Sequence, residues 1–198
     1  MMRLIVVTDA AFREGEQEVI RRLLDGGIER VHLRKPAATE AEMRRLIESL
    51  PAACYPRLSL HDHLALAAEY GLGGVHLNGR NPETPAGFRG LVSRSCHSLA
   101  ELEACAPKTD YRFLSPIFDS ISKSGYRAAF DDATLRDAAA RGIIDSRCFA
   151  LGGVEPERLP LLRAWGFGGA AMLGCIWRDP SREGLQHTLH EIQRYVMS

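Results

Sequence analysis

Short apolar runs alternate with amphipathic helical patterns along this whole chain, and that alternation restricts the fold more than any other feature. Leu4-Ile5-Val6-Val7 reads as a strand ending at Thr8-Asp9. Between Glu14 and Asp25, the residues Val19, Ile20, Leu23 and Leu24 share one face at the helical period, and Gly26-Gly27 stops the run. Ile28 to Leu33 is a second strand. Thr39-x-x-Glu42 is a capping box ahead of a helix carrying Met43, Leu46, Ile47 and Leu50. The unit then recurs. Further strands are expected at Arg57 to His61, Gly74 to Leu77, Leu91 to Cys96, Tyr111 to Leu114, Cys148 to Leu151 and Gly169 to Leu173. Asp62 is expected to cap a helix from His63 to Tyr70, and Ser98-x-x-Glu101 is a second capping box. Asp131 or Asp132 starts a helix ending at Gly142, Pro156 sits in the first turn of the next, and Asp179-Pro180 opens the last. Asn78 to Gly90 has room for a short helix at most.

Eight such units imply parallel strands joined by right-handed crossovers. They point to an α/β fold, a compact (β/α)8 TIM barrel forming one domain over residues 1–198. The length is at the lower limit for that fold, so the connections must be short. A doubly wound sheet would usually need a glycine-rich turn after the first strand, and Thr8-Asp9-Ala10-Ala11 has no glycine. One connection is long, from Ser115 to about Phe130.

Composition narrows the function classes. The 25 Lys+Arg balance 25 Asp+Glu, so the chain lacks the basic surface of a general nucleic-acid binder, although a local phosphate pocket needs few donors. A hydrophobic fraction of 45% excludes disorder. The run Leu4 to Val7 is too short for a signal-peptide core, and no stretch approaches the roughly 18 apolar residues of a membrane span. Cys54, Cys96, Cys105, Cys148 and Cys175 form no CxxC pair, so they are expected as reduced core thiols in a cytoplasmic protein.

In a barrel the C-terminal strand ends build the active site. His32, Arg34 and Lys35 follow the second strand, His61, Asp62 and His63 the third, and His76 and Asn78 the fourth. Arg94, Ser95 and His97 follow the fifth. His76 reads equally well as a core histidine between strand and loop. Gly152-Gly153 after the seventh strand and Leu173-Gly174 after the eighth occupy the usual phosphate-binding position of this fold. The long loop carries Ser115, Ser120, Ser122 and Lys123, donors suited to an anionic group such as pyrophosphate.

These residues resemble thiamine phosphate synthase and its relative, the thiazole tautomerase TenI. The resemblance covers nearly the whole chain. It runs through Val6-Val7-Thr8-Asp9, Val31-His32-Leu33-Arg34, Gly74-Val75-His76-Leu77 and Ser93-Arg94-Ser95-Cys96-His97-Ser98. It continues through Asp110-Tyr111, Ser115-Pro116-Ile117-Phe118, Ser120-Ile121-Ser122-Lys123 and Ala150-Leu151-Gly152-Gly153-Val154. It implies a transferase that joins hydroxymethylpyrimidine pyrophosphate to thiazole phosphate, releasing pyrophosphate. By the resemblance, Arg34, Lys123 and Ser95 hold the pyrophosphate, with Ser120 and Ser122 as hydroxyls of the active-site loop. Gly152, Gly153, Leu173 and Gly174 cradle the thiazole phosphate, and Asp62 is one ligand of a Mg²⁺ ion.

The chain departs from the synthase pattern at named positions. Gln-x-Arg-x-Lys after the second strand is here His32-x-Arg34-x-Pro36, with Lys35 one place early, and His32 and Lys35 are expected among the substrate- and phosphate-binding residues. An Asn-Asp pair becomes His61-Asp62, and the second metal aspartate falls at Asn81. His32, Arg34, Arg94, Ser95 and His97 match the tautomerase branch, but Pro116 stands at its catalytic histidine, which leaves His61 and His97 as candidate bases. Three expectations follow: the synthase-like transferase, a tautomerase of the thiazole phosphate carboxylate, and a non-catalytic barrel that binds thiazole phosphate. The expected partners are the small phosphorylated substrates, not nucleic acid or membrane, and a homodimer is compatible with the chain.

Overall fold

The computed structural model describes residues 2–119 and 129–197. Ser120, Ser122 and Lys123 lie outside the described residues. Eight parallel strands close into a barrel in chain order: β1 (Arg3–Val7), β2 (Arg30–Leu33), β3 (Leu58–Leu60), β4 (Gly74–Leu77), β5 (Leu91–Cys96), β6 (Tyr111–Leu114), β7 (Cys148–Ala150) and β8 (Gly169–Met172). β1 pairs with β8 at Arg3↔Gly169 to Val6↔Met172 and closes the ring. The outer layer is α1 (Glu16–Asp25), α2 (Glu40–Glu48), α3 (Ala65–Glu69), α4 (Leu99–Cys105), α5 (Asp132–Ala140), α6 (Leu159–Ala164), α7 (Gly174–Trp177) and α8 (Arg182–Met197). No helix separates β4 from β5, as the Pro- and Gly-bearing stretch between them suggested.

Alternation along each strand produces two separate buried layers. Leu4, Val6, Val31, Leu33, Leu58, Leu60, Val75 and Leu77 point outward into the large core beneath the helices. Ile5, Val7, Tyr111, Phe113, Phe149 and Ala171 form a second, smaller cluster inside the barrel. Its apolar members come from β1, β6, β7 and β8. On β2 to β5 the buried inward positions are polar instead: His32, Ser59, His76 and Ser93. The interior therefore has an apolar side and a polar side.

The local signals resolve unevenly. The Thr39 capping box forms as read, with Thr39 Oγ1 accepting from Glu42 N and Glu42 accepting from Thr39 N. Ser98 accepts from Glu101 N, but the Glu101 carboxylate takes the N–H of His97 rather than that of Ser98, so this box is offset. Asp131 caps α5. Asp62 caps nothing. Its carboxylate is drawn across the rim, α3 starts later at Ala65, and His63 adopts a left-handed φ of 53° with its Nε2 2.7 Å from Ala38 O. The last helix starts at Arg182 rather than at Asp179-Pro180, because Asp179 accepts from Ser181 N in a turn before it. The five cysteines are free thiols, and Cys96 and Cys105 lie with their sulfurs 3.3 Å apart. No helix among the described residues is long and apolar enough to cross a membrane.

Candidate active site

The C-terminal rim of the barrel holds two unlike groups of residues, one after β2 to β4 and one after β7 and β8. On the β2–β4 side, a hydrogen-bonded column of side chains rises from the barrel floor. Tyr111 Oη lies 2.7 Å from His32 Nε2, and His32 Nδ1 lies 2.8 Å from His61 Nε2. Burial raises the Tyr111 phenol, so it stays protonated, and the His32 tautomer sets which way the hydrogen bond between them runs. His76 stands beside them, with Nδ1 2.8 Å from Ser93 Oγ and Nε2 2.7 Å from Ser95 Oγ. Ser93 donates to Val75 O, so it accepts from His76 Nδ1, and Ser95 donates to His76 Nε2. The Ser95 hydroxyl therefore presents lone pairs rather than a proton to other groups.

All three imidazoles are held neutral. Burial pushes His32 and His61 well below the ordinary histidine value, with the neighbouring His76 adding to both. His76 is pushed down to about 3 by burial and then by Arg94. Among the described residues these three histidines are also the one cluster with donor atoms close enough for a metal. The geometry argues against that use. The His61 and His76 rings stack at 4.0 Å and 18°, and both nitrogens of His32 and of His76 already have hydrogen-bond partners. The cluster is a satisfied polar core.

Above this column sit the charged rim residues. Arg34 is half-buried, fixed through its backbone by Arg34 N donating to Thr8 Oγ1 at 2.9 Å, while its guanidinium has no partner among the described residues. Lys35 turns the opposite way. It is fully buried, and its ammonium donates to Glu16 Oε1 at 2.6 Å, Ala11 O at 2.7 Å and Asp9 O at 2.9 Å. This corrects the expectation that Lys35 binds phosphate: strand alternation sends adjacent residues to opposite faces, and Arg34 takes the inner one. Burial, helped by the like charges of Arg13 and Asp9, drives Lys35 down and Glu16 up, outweighing their attraction.

Asp62 lies against Arg80, which the sequence reading missed. Asp62 Oδ1 accepts from Arg80 Nη2 at 2.9 Å and Nε at 3.3 Å, and Oδ2 accepts from Lys35 N at 3.1 Å. Asn81, at the second expected metal position, donates its Nδ2 to His61 O at 2.9 Å, and Asn78 donates to the same carbonyl at 3.0 Å. The Mg²⁺ that the resemblance implies does not fit this donor set. One carboxylate remains, both its oxygens are engaged, and a guanidinium already lies on it. The signal for Arg80 was present as a cation in the turn directly after β4.

The other side of the rim is backbone. Gly152 and Gly153 follow β7 with φ of 94° and 62°. A Cβ on Gly153 would lie 2.5 Å from Asp119 O, and one on Gly152 2.9 Å from Pro116 Cα. These glycines let the turn press against the start of the long loop, where Ile117 N donates to Leu151 O and Phe118 N to Gly152 O. Gly174 begins α7 after β8. The amides of Gly152, Gly153 and Gly174 donate to no backbone carbonyl among the described residues. Leu173, on the same turn, packs against the interior cluster.

Two further expected residues stand apart from the column. His97 is exposed, with Nδ1 3.1 Å from Ser115 O, and does not join the three buried histidines. Arg94 projects from the outer face of β5, its Nη1 3.4 Å from Pro82 O, because Ser93 and Ser95 take the inward positions.

Comparison with known proteins agrees with this geometry. The thiamine monophosphate synthase family matches residues 4–176. A putative thiamine-phosphate synthase of Geobacter sulfurreducens is 30% identical over 188 residues, covering 89% of this chain and 87% of that protein. A thiamine-phosphate synthase of Cronobacter sakazakii is 30% identical over 186 residues, covering 88% of this chain and 87% of that protein. The crystal structure of thiamine phosphate pyrophosphorylase from Bacteroides thetaiotaomicron superposes with a TM-score of 0.88 at 34% identity, covering 99% of this chain and 98% of that one. The match extends from the first strand into the helix after the eighth, across both sides of the rim, and the chain belongs to the thiamine monophosphate synthase family.

Proposed function

We propose that this protein is a thiamine phosphate synthase, joining hydroxymethylpyrimidine pyrophosphate to thiazole phosphate. The carbon–oxygen bond between the pyrimidine methylene and the diphosphate breaks, and its electron pair leaves with pyrophosphate. The lone pair of the thiazole ring nitrogen then forms the new carbon–nitrogen bond at the methylene. No proton need be transferred, so the pyrimidine–thiazole coupling does not call for a histidine base.

One observation carries the reading: the rim of one closed barrel carries guanidinium groups after β2 and β4, and glycine-turn amides without a backbone partner among the described residues after β7 and β8. Arg34 and Arg80 suit the departing diphosphate, because cationic donors stabilise the charge that develops there. The turns at Gly152-Gly153 and Gly174 suit the thiazole monophosphate, which backbone N–H groups can surround. Beneath them, the neutral His32, His61 and His76 keep the floor polar without adding charge. Lys123, Ser120 and Ser122 are further proposed donors to the diphosphate, on the strength of the family resemblance alone.

The test is direct. Purified protein is incubated with both substrates in Mg²⁺-containing buffer, and thiamine phosphate is measured by chromatography. Formation of thiamine phosphate and pyrophosphate in equal amounts is expected. Absence of product with both substrates bound would overturn the proposal.

A further inference from the structure

We infer that Arg80, anchored on Asp62, binds the diphosphate of the substrate in the place of a divalent cation, so that this site works without metal; the inference rests on the function proposed above. Asp62 is the carboxylate on which a Mg²⁺ ion would have to sit, and it is already spent. Arg80 occupies Oδ1 through two nitrogens, and the Lys35 amide occupies Oδ2. A Mg²⁺ ion brought to Oδ1 would stand beside a guanidinium of like charge. The second position offers no carboxylate, since Asn81 turns its amide N–H to the His61 carbonyl.

Arg80 is built into the rim. The Asn78 side-chain oxygen accepts from Arg80 N at 2.9 Å and Asn81 N at 3.1 Å, which fixes the turn that carries it. Asn78 is tied in turn to His61 O. The Asp62 side chain is 8% exposed and that of Arg80 49%, so the carboxylate is the buried anchor and the guanidinium the accessible end. Nη1 of Arg80 has no partner among the described residues. Arg34 follows β2 and Arg80 follows β4, the two neighbours of the strand that leads into Asp62, so both guanidiniums belong to the same part of the rim. The local charge is one positive unit from Arg34, Arg80 and Asp62, with Lys35 and Glu16 cancelling and the histidines neutral. A planar guanidinium offers paired N–H groups to two phosphate oxygens, where a metal ion would offer coordination sites.

Titration calorimetry with inorganic pyrophosphate tests this on the full chain. Binding is expected in EDTA, with no gain in affinity on replacing EDTA by Mg²⁺. Arg80→Gln is expected to weaken it about tenfold or more, since a charge-assisted contact is lost, and Arg80→Lys to recover part of the loss. The double variant Arg80→Gln/Asn81→Asp is expected to bind only with Mg²⁺. Binding of the wild-type protein only with Mg²⁺, or unchanged binding by Arg80→Gln, would overturn the inference. The two proposals fail separately. Thiamine phosphate formation that stops on chelation leaves the synthase standing and removes the metal-free site. Metal-free pyrophosphate binding without product leaves the site and removes the synthase.

Discussion

The two sides of the barrel mouth are made of different material. After β7 and β8 the rim is backbone: Gly152 and Gly153 in left-handed conformations, Gly174 opening a short helix, and amides without carbonyl partners among the described residues. After β2, β3 and β4 it is side chains holding one another: Asp62 on Arg80, Lys35 in Glu16, and Asn78 and Asn81 on His61 O. The first kind of site depends on the shape of the main chain and tolerates little added volume. The second depends on which charges find each other, and a one-residue change can exchange one cation for another.

The largest expected effect breaks the side-chain corner from below. Lys35→Met leaves Glu16 buried without its cation and is expected to cost about 3–5 kcal/mol in chemical denaturation. Adding Glu16→Leu should recover most of that loss. If Lys35→Met is as stable as the wild type, the ion pair is not what holds this corner.

The backbone corner should break on added volume instead. Gly153→Ala is expected to cost about 2–4 kcal/mol, from a left-handed alanine and the close approach to Asp119 O and Phe118. Gly79→Ala, in the side-chain corner, has open space around it and an ordinary φ, so it should be close to neutral. Thermal unfolding of the two variants side by side checks the contrast, and equal effects would erase it.

Between pH 7 and pH 4, acid should act first on the histidines of the side-chain half. His32, His61 and His76 have folded values below the ordinary 6.5, so between those values the unfolded chain binds more protons than the folded one. Their contribution is full above about pH 6.5 and is lost as pH falls, for His76 down to about 3. Each histidine adds a slope of about 1.4 kcal/mol per pH unit in its window. Urea titrations from pH 7 to pH 4 should show falling stability, and a flat profile would mean that the imidazoles are not kept neutral. The smallest effect is expected from Asn81→Asp alone. With Arg80 still on Asp62, pyrophosphate affinity in Mg²⁺ should change by less than about threefold, about 0.7 kcal/mol.

How far the sequence reaches follows from the kind of signal. Arg34 and the glycine turns were readable because strand alternation and glycine placement are local. His32, His61 and His76 were identified at strand ends, but their joining into one neutral network depends on three strands meeting side by side. Lys35, expected to bind phosphate, and Asp62, a metal ligand by resemblance, are each held by a residue from another part of the chain, and local pattern does not reveal such a partner. Lys35 takes Glu16 from α1, and Asp62 takes Arg80 from the turn after β4. The Ser98 box shifted by one residue because the Glu101 carboxylate found the His97 amide.

The sequence by itself therefore determined the eight-unit alternation, the closed parallel barrel it demands, and which residue types line the strand ends. Those features follow from periodicity and turn chemistry, which act over a few residues. Only the tertiary structure decided that Arg80 lies on Asp62, that Lys35 is internal, and that the interior divides into an apolar and a polar side. Those outcomes depend on pairings between residues 18, 19 and 29 positions apart, at Arg80–Asp62, Lys35–Glu16 and His32–His61. In a buried setting the available partner, more than the residue's own chemistry, sets what a charged group can do.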